Sequence, residues 1–248
     1  MAGSVKGKRG GPDARRERWK EHRSARRAEF VEATISALRE HGPDVGMDEI
    51  AAAAGVTKPV LYRHFSDKAD LYVAVGQRAT EILTERLVPA LEELGSINDV
   101  IHRALDAYLS TIEEQPELYR FMIRGGFADR PLDQDPATAT EDMIATKLAR
   151  LLGVYMRLLQ LDSGAAEPYA FALVGAVEKA GEWWLERQSM SRENLRDYLA
   201  QIVWHAIDGA ARAGGIELDP DLPLDELMPK EATQLTVIRG EAGGTGVQ

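Results

Sequence analysis

Apolar residues along most of this chain recur at intervals of three and four, which is the spacing of amphipathic α-helices. The first such stripe runs from about Ser24 to Glu40, before Gly42 and Pro43 end the pattern. Further stripes predict helices from Ser66 to about Leu94 and near 97–114, 116–125, 136–160, 166–188 and 192–212. We find no convincing alternation with a period of two, so the sequence predicts an all-α fold.

Residues 47–66 (MDEIAAAAGVTKPVLYRHFS) predict two short helices joined by a tight turn. Gly55 ends the first helix, because glycine accepts a left-handed backbone at little cost. Thr57 is a candidate N-cap for the second helix, and Pro59 is tolerated in its first turn. Leu61 and Phe65 are four residues apart, so we expect both in the core and their basic and aromatic neighbours outside. This is the geometry of a helix-turn-helix DNA reader.

The stretch 51–72 (AAAAGVTKPVLYRHFSDKADLY) resembles the DNA-binding signature of the TetR family of bacterial transcriptional regulators. The length of the chain and the order of its helices also agree with that family. The chain departs from the family at Pro43, where an aromatic residue commonly follows the glycine, and at Gly46, where a hydroxyl residue commonly caps the next helix. We expect Val45 to take over the packing role and Gly46 to act as a weaker cap.

The resemblance implies that the second helix of the motif enters the major groove of a double-stranded DNA operator. Lys58, at the helix start, is then placed to read guanine, and Pro59 and Val60 to press against thymine methyl groups. Tyr62 has an alternative interpretation as a partly buried ring with a solvated hydroxyl. The full predicted DNA-binding set is Arg23, Arg27, Thr57, Lys58, Pro59, Val60, Tyr62, His64 and Lys68, of which Tyr62, His64 and Lys68 resemble the family's phosphate contacts.

Charge is distributed unevenly along the chain, whose net charge is −10. Residues 1–72 hold 14 Lys and Arg against 11 Asp and Glu (+3), and the remainder holds 16 against 29 (−13). A basic N-terminal part can neutralise phosphates while the acidic remainder stays off the duplex. Residues 1–22 predict a mobile basic arm that reaches DNA through Arg23, Arg26 or Arg27, or alternatively a solvated tail.

Several other classes of function have little support in the sequence. Cysteine is absent, and no apolar run approaches the ~20 residues needed to cross a bilayer, so we expect a cytoplasmic protein with no membrane partner. The chain has no phosphate-binding glycine loop, HExxH pair or GxSxG elbow. An acidic loop at Asp129, Asp133 and Asp135 lacks the spacing of a calcium loop. We therefore expect no catalysis, no cofactor and no metal site.

The last two long helices predict a homodimer interface, since paired amphipathic helices form four-helix interfaces across a two-fold axis. Ordinary core within one chain is the alternative for each residue. A homodimer would also carry two recognition helices about 34–36 Å apart, the spacing of successive major-groove faces. The predicted interface residues are Phe171, Val174, Leu195, Leu199, Ile202, Val203 and Ile207.

The resemblance further implies a ligand pocket formed by residues from about 75 to 185. Arg124 and Glu178 are its candidate polar anchors, although each candidate could also be plain core. The aliphatic and aromatic composition favours a small hydrophobic effector such as a fatty-acyl compound. The candidates are Leu105, Tyr108, Phe121, Met122, Arg124, Phe127, Met143, Leu151, Tyr155, Tyr169, Glu178 and Trp184.

These interpretations divide the chain into a flexible basic arm (1–22), a helix-turn-helix DNA-binding domain (23–72), an effector-binding and dimerisation domain (73–213) and an irregular tail (214–248). By analogy with the family, the hypothesis is a repressor released from a palindromic operator by its effector. The alternatives are an activator or partner-controlled regulator of the same fold, and a helical enzyme or binding module that carries a helix-turn-helix.

Overall fold

The computed structural model describes residues 12–124 and 136–224, and these ranges contain nine α-helices. They are α1 (Pro12–His41), α2 (Met47–Ala53), α3 (Lys58–His64), α4 (Lys68–Glu92), α5 (Ile97–Glu114), α6 (Pro116–Ile123), α7 (Pro136–Leu158), α8 (Ala166–Arg187) and α9 (Arg192–Ala213). No strand occurs in the described ranges, where the one extended contact is a bridge between Ser96 and Pro223. The predicted all-α fold is confirmed.

Local capping explains why several helices begin where the sequence predicts. The side chain of Ser96 accepts a hydrogen bond from the backbone N–H of Asp99, and the carboxylate of Asp99 accepts one from the backbone N–H of Ser96, so α5 begins with a capping box. The side chain of Ser191 caps α9 by accepting a hydrogen bond from the backbone N–H of Asn194. At the start of α4, the side chain of Asp67 accepts a hydrogen bond from the backbone N–H of Asp70 at 2.7 Å.

Helix α1 begins at Pro12, well before its predicted start near Ser24. The expected mobile arm is therefore helical over residues 12–22, and residues 1–11 of that arm lie outside the described part of the chain. Proline suits the first turn of a helix, and the segment behind it is rich in Arg, Glu and Ala, which are good helix formers. This part of the helix is exposed wherever its burial is described, so it needs no apolar stripe. The prediction relied on such a stripe and therefore placed the start of the helix too late.

The described chain divides into two compact units, with one boundary between Ala79 and Thr80 inside α4. The first unit comprises the residues up to Ala79 and α6 from Glu117 onward. Its core contains Phe30, Ile35, Leu38, Val45, Met47, Ile50, Leu61, Phe65 and Leu71. The buried face predicted for α1 and the packing role predicted for Val45 are both confirmed. Tyr72 joins α4 to α6, since its hydroxyl donates to the carbonyl oxygen of Met122 and its ring lies edge-on to Phe121.

The second unit contains the rest of α4 with α5, α7, α8 and α9. Helix α7 packs against α8, and α5 packs against α9 and α8. The approach of α5 to α8 depends on Gly181, because a Cβ atom built there would lie 2.8 Å from the hydroxyl oxygen of Tyr108. A glycine at this point lets the two helices approach more closely than any other residue would.

The first part of the predicted irregular tail packs onto the start of α5. The N–H of Leu224 donates to the carbonyl oxygen of Gly95, and the N–H of Asn98 donates to that of Pro220. Residues 214–224 are thus irregular, as predicted, but they are fixed by backbone hydrogen bonds. Residues 225–248 lie outside the described ranges.

Candidate nucleic-acid interface

The turn between α2 and α3 fixes the orientation of the second helix. Gly55 adopts a φ of +64°, a left-handed conformation that glycine accepts most readily, and this confirms its predicted role. The N–H of Val56 donates to the carbonyl oxygen of Ala51 across the turn at 3.0 Å. Together with the buried Ile50 and Ala51, these contacts hold α3 at a defined angle to α2.

Helix α3 has one buried and one exposed side, as predicted. Leu61 and Phe65 are buried in the first unit, which confirms their assignment to the core. Thr57 and Pro59 are exposed at the helix start, and Val60 is half-buried. The side chain of Tyr62 is 40% exposed, so its hydroxyl is open to a partner. This exposed side supplies the groups that a helix-turn-helix protein uses in the major groove.

The two residues at the start of α3 differ in how they are held. Thr57 occupies the N-cap position, but its side chain makes no capping hydrogen bond, contrary to the role considered for it. Lys58 forms an ion pair with Asp48 of α2, with Nζ 3.0 Å from Oδ2. Its hydrogen bond to Asp48 raises the pKa of Lys58. A base-edge contact by Lys58 therefore has to replace its pairing with Asp48.

The guanidinium of Arg27 is already engaged inside the first unit, so its predicted DNA contact needs correction. It lies 2.8 and 3.1 Å from the two carboxylate oxygens of Asp70, donates to the carbonyl oxygen of His64 and covers the ring of Phe65 at 4.3 Å. Asp70 also accepts the N–H of Ser66. Arg27 thus ties α1 to the end of α3 and the start of α4, and we assign it to positioning.

His64, predicted as a phosphate contact, is half-buried at the end of α3, with its ring edge-on to Phe30 at 5.1 Å. Its Nδ1 atom is buried and has no hydrogen-bond partner among the described residues. Burial lowers the pKa of His64, and the positive charges of Arg23, Arg26, Arg27 and Arg63 lower it further. Both effects favour the neutral form of the imidazole, which lies in a positive field.

The other predicted DNA-binding residues of this unit, Arg23 and Lys68, are exposed. Beside Arg23 lie three residues that the sequence interpretation did not assign. Trp19 and His22 of α1 and Arg63 of α3 line a depression together with Arg23 and His64. Trp19 could have been noticed as an aromatic residue in an otherwise polar basic segment.

The residues predicted to line a ligand pocket are divided between the two compact units. Leu105, Tyr108 and Trp184 are buried in the second unit, whereas Met143, Leu151, Tyr155 and Glu178 are half-buried there and Tyr169 is 40% exposed. Phe121, Met122 and Arg124 belong to the first unit. Arg124 is exposed and pairs with Asp44 at 3.3 Å, which removes it as a buried polar anchor. Phe127 lies outside the described residues.

The residues predicted for the dimer interface also divide into two groups. Leu195 and Leu199 are each 4% exposed, so they are core of a single chain, and their assignment to a surface is wrong. Phe171 and Ile202 are exposed, while Val174, Val203 and Ile207 are half-buried. Trp183 and Tyr198, which were not in the predicted set, are exposed on the same two helices.

The described residues offer no sign of other chemistry. Among them, no group of three His, Cys, Asp or Glu side chains is arranged to hold a metal ion. None of the helices in these ranges is both long and apolar enough to cross a membrane. The fold and the exposed side of α3 define the class of helix-turn-helix DNA-binding proteins.

Comparisons with known proteins identify the family. The model for bacterial regulatory proteins of the tetR family matches residues 30–75, and the model for a tetracyclin repressor-like C-terminal domain matches residues 86–217. The second match alone covers more than half of the chain. The chain therefore belongs to the TetR family of DNA-binding transcriptional regulators.

Individual relatives agree with this assignment. An uncharacterized HTH-type transcriptional regulator of Mycobacterium tuberculosis is 38% identical over 204 residues, 82% of this chain and 86% of the relative. The HTH-type transcriptional activator FasR of Mycolicibacterium smegmatis is 29% identical over 73% of this chain and 83% of its own length. The crystal structure of AibR in complex with isovaleryl coenzyme A and operator DNA shares the fold, with a TM-score of 0.56, 16% identity and coverage of 72% and 97%.

Proposed function

We propose that the protein is a homodimeric repressor that binds a near-palindromic DNA operator and releases it when a small hydrophobic effector binds. The observation that carries the DNA-binding part is the solvent-facing side of α3. Thr57, Pro59 and Tyr62 are exposed there, and Lys58 is half-buried. Such a helix, oriented by the Gly55 turn and by the ion pair of Arg27 with Asp70, presents polar and basic groups to base edges and phosphates.

The first experiment selects bound sequences from a random duplex library with the wild-type protein and with two lysine variants. Lys58→Ala is expected to lose preference at particular base pairs, at a cost of about 1–3 kcal/mol in specific binding. Lys68→Ala is expected to weaken binding to all sequences similarly and to reduce the salt slope by about 1 for each half-site, or about 2 for the homodimer. Equal, sequence-independent losses in both variants would contradict these roles.

The homodimer proposal rests on the exposed apolar side chains of α8 and α9. Phe171 and Trp183 of α8 and Tyr198 and Ile202 of α9 are 36%, 37%, 57% and 56% exposed in one chain. Burying them against a second copy would remove this apolar surface from water. Ile202→Glu is expected to yield monomers in sedimentation experiments, and an unchanged dimer, or a monomeric wild type, would contradict the proposal.

The effector proposal rests on the apolar and aromatic composition of the second unit. AibR, which shares the fold, was crystallised with an acyl coenzyme A and operator DNA, so we propose a fatty-acyl compound as the effector class. Ligand and operator binding should then be negatively coupled. Small molecules that copurify with the protein should be identified by mass spectrometry and added to the binding assay. Unchanged operator affinity at saturating effector would refute induction.

An activator is the second candidate, because FasR is named a transcriptional activator and is 29% identical to this chain. Both candidates bind an operator, so the discriminating measurement is transcription. A reporter behind the selected site, in a cell with and without the protein, should be repressed by the protein. A rise in transcription would favour the activator.

A further inference from the structure

A depression of about 310 Å³ lies at the end of α3 that is remote from its predicted base-reading residues. Trp19, His22 and Arg23 of α1 and Arg63 and His64 of α3 line it. His64 follows Lys58 by six positions. At a rise of ~1.5 Å per residue, the depression therefore lies about 9 Å further along the helix axis. A group bound here would flank the bases read from the start of α3.

Two arginines in the depression differ from their neighbours in having no acidic partner among the described side chains. Arg26 pairs with Glu29, and Arg27 pairs with Asp70. For Arg23 and Arg63, no carboxylate lies within ion-pair distance among the side chains that the structure describes. Both are exposed, and the guanidinium carbon of Arg23 lies 5.8 Å from the centre of the Trp19 ring. The depression therefore combines uncompensated positive charge with an aromatic wall.

His64 reports the same electrostatic environment from inside the first unit. The arginines around it stabilise its neutral form, and its buried Nδ1 atom has no hydrogen-bond partner among the described residues. An anion beside Arg23 and Arg63 would offset this positive field. Arginine suits phosphate especially well, because its planar guanidinium donates two parallel hydrogen bonds to phosphate oxygens.

We propose that this depression binds one phosphate of the DNA backbone, held jointly by Arg23 and Arg63, beside the bases that α3 reads. Trp19 then packs against the adjoining sugar, and His22 lies at the rim. The tetR-family model matches from residue 30, so Trp19, His22 and Arg23 belong to a part of α1 outside the matched segment. The proposal rests on the DNA-binding function proposed above and adds a contact made by the N-terminal part of α1.

The test compares the salt dependence of operator binding for Arg23→Ala, Arg63→Ala and the double variant, with Arg150→Ala as the matched control. Arg150 is an exposed arginine of α7 in the second unit. Each phosphate contact contributes about 0.9 to the slope of log K against log salt, and a homodimer loses one contact in each half-site, so the slope should change by about 1.8. Because both arginines serve one phosphate in each half-site, we expect each single variant to lose about tenfold in affinity at moderate salt. The double variant should lose little more, with a total slope change near 1.8.

The outcomes separate this proposal from the function on which it rests. A wild-type protein that selects no duplex at all would refute the proposed function. Normal wild-type binding with an unchanged slope in the double variant, or with slope changes that add to about 3.6 for the homodimer, would overturn the shared phosphate site alone. Circular dichroism of each variant establishes that it is folded. The selected sequence should not change, since phosphate contacts carry no base information.

A second measurement distinguishes a DNA phosphate from a free anion. The imidazole signals of His64 are followed by NMR while operator duplex or inorganic phosphate is added at constant ionic strength. We expect the duplex to shift these signals in the wild-type protein but much less in the double arginine variant. Equal shifts from inorganic phosphate at the same phosphate concentration would overturn the assignment to DNA.

Discussion

The carboxyl groups of Glu141 on α7 and Glu178 on α8 are hydrogen-bonded to each other, and we expect them to make stability depend on pH. Burial, the charge of Glu141 and the hydrogen bond to Glu141 together raise the pKa of Glu178 from 4.5 to about 7. Burial is the largest of these causes. Glu182 acts in the same direction, and Lys179 opposes them. Glu178 therefore binds its proton more tightly in the folded chain than in the unfolded one.

The size and the sign of the effect follow from this difference. Between pH 4.5 and about 7 the folded protein retains a proton that the unfolded chain releases, so the free energy of unfolding falls as pH rises. A difference of about 2.5 pH units corresponds to about 3 kcal/mol at 1.36 kcal/mol per unit. Because Glu178 is only half-buried, solvent screens part of this effect, and we expect a loss of about 1–3 kcal/mol.

Urea denaturation at pH 5 and pH 8, at one fixed protein concentration, measures this effect. Glu178→Gln is expected to abolish its part of the pH dependence, so the variant should exceed the wild type in stability at pH 8 but not at pH 5. Glu186→Gln, an exposed change on the same helix, is the control and should behave as the wild type. If Glu178→Gln and the wild type lost the same free energy between the two pH values, the carboxyl pair would not be the cause.

Three other substitutions test the packing and the interface. Gly181→Ala places a methyl group 2.8 Å from the hydroxyl oxygen of Tyr108, so urea denaturation should detect a loss of about 1–3 kcal/mol; a gain would mean that the helices separate freely. Ser96→Ala removes the cap of α5 and should lower the free energy of unfolding by about 1 kcal/mol; an unchanged free energy would mean that the cap does not stabilise the fold. Asp48→Asn frees Lys58 and should tighten DNA binding several-fold at low salt, as measured by fluorescence anisotropy; unchanged binding would show that the ion pair does not compete.

The sequence predicted the helices and the buried face of α3 well because these depend on local rules. Spacing alone identified Leu61 and Phe65 as core, and the conformational freedom of glycine identified Gly55 as the turn. Most helix boundaries were close to prediction, since caps such as those at Ser96 and Ser191 are local interactions with a backbone N–H three residues further on. The resemblance in residues 51–72 then supplied the family, which the comparisons confirm.

Residue roles that depend on distant partners were not predictable in the same way. Arg27 is basic and near the motif, but its partner Asp70 lies far along the chain, so only the fold reveals its ion pair. Leu195, Leu199 and Ile202 share one helical pattern, yet only the packing of α5 against α9 decides which are buried. The depression at Trp19 likewise needs α1 and α3 side by side, and no local pattern contains it.

DNase I footprinting of the wild-type protein on the duplex upstream of its own gene tests the central claim most directly. The account predicts a protected, near-palindromic site whose two half-sites lie about 34–36 Å apart, one turn of the double helix. It also predicts that protection weakens steeply as salt rises, because phosphate contacts supply much of the affinity. Absence of any protected palindromic site at moderate salt, there or on neighbouring genes, would contradict the assignment of α3 as an operator-reading helix.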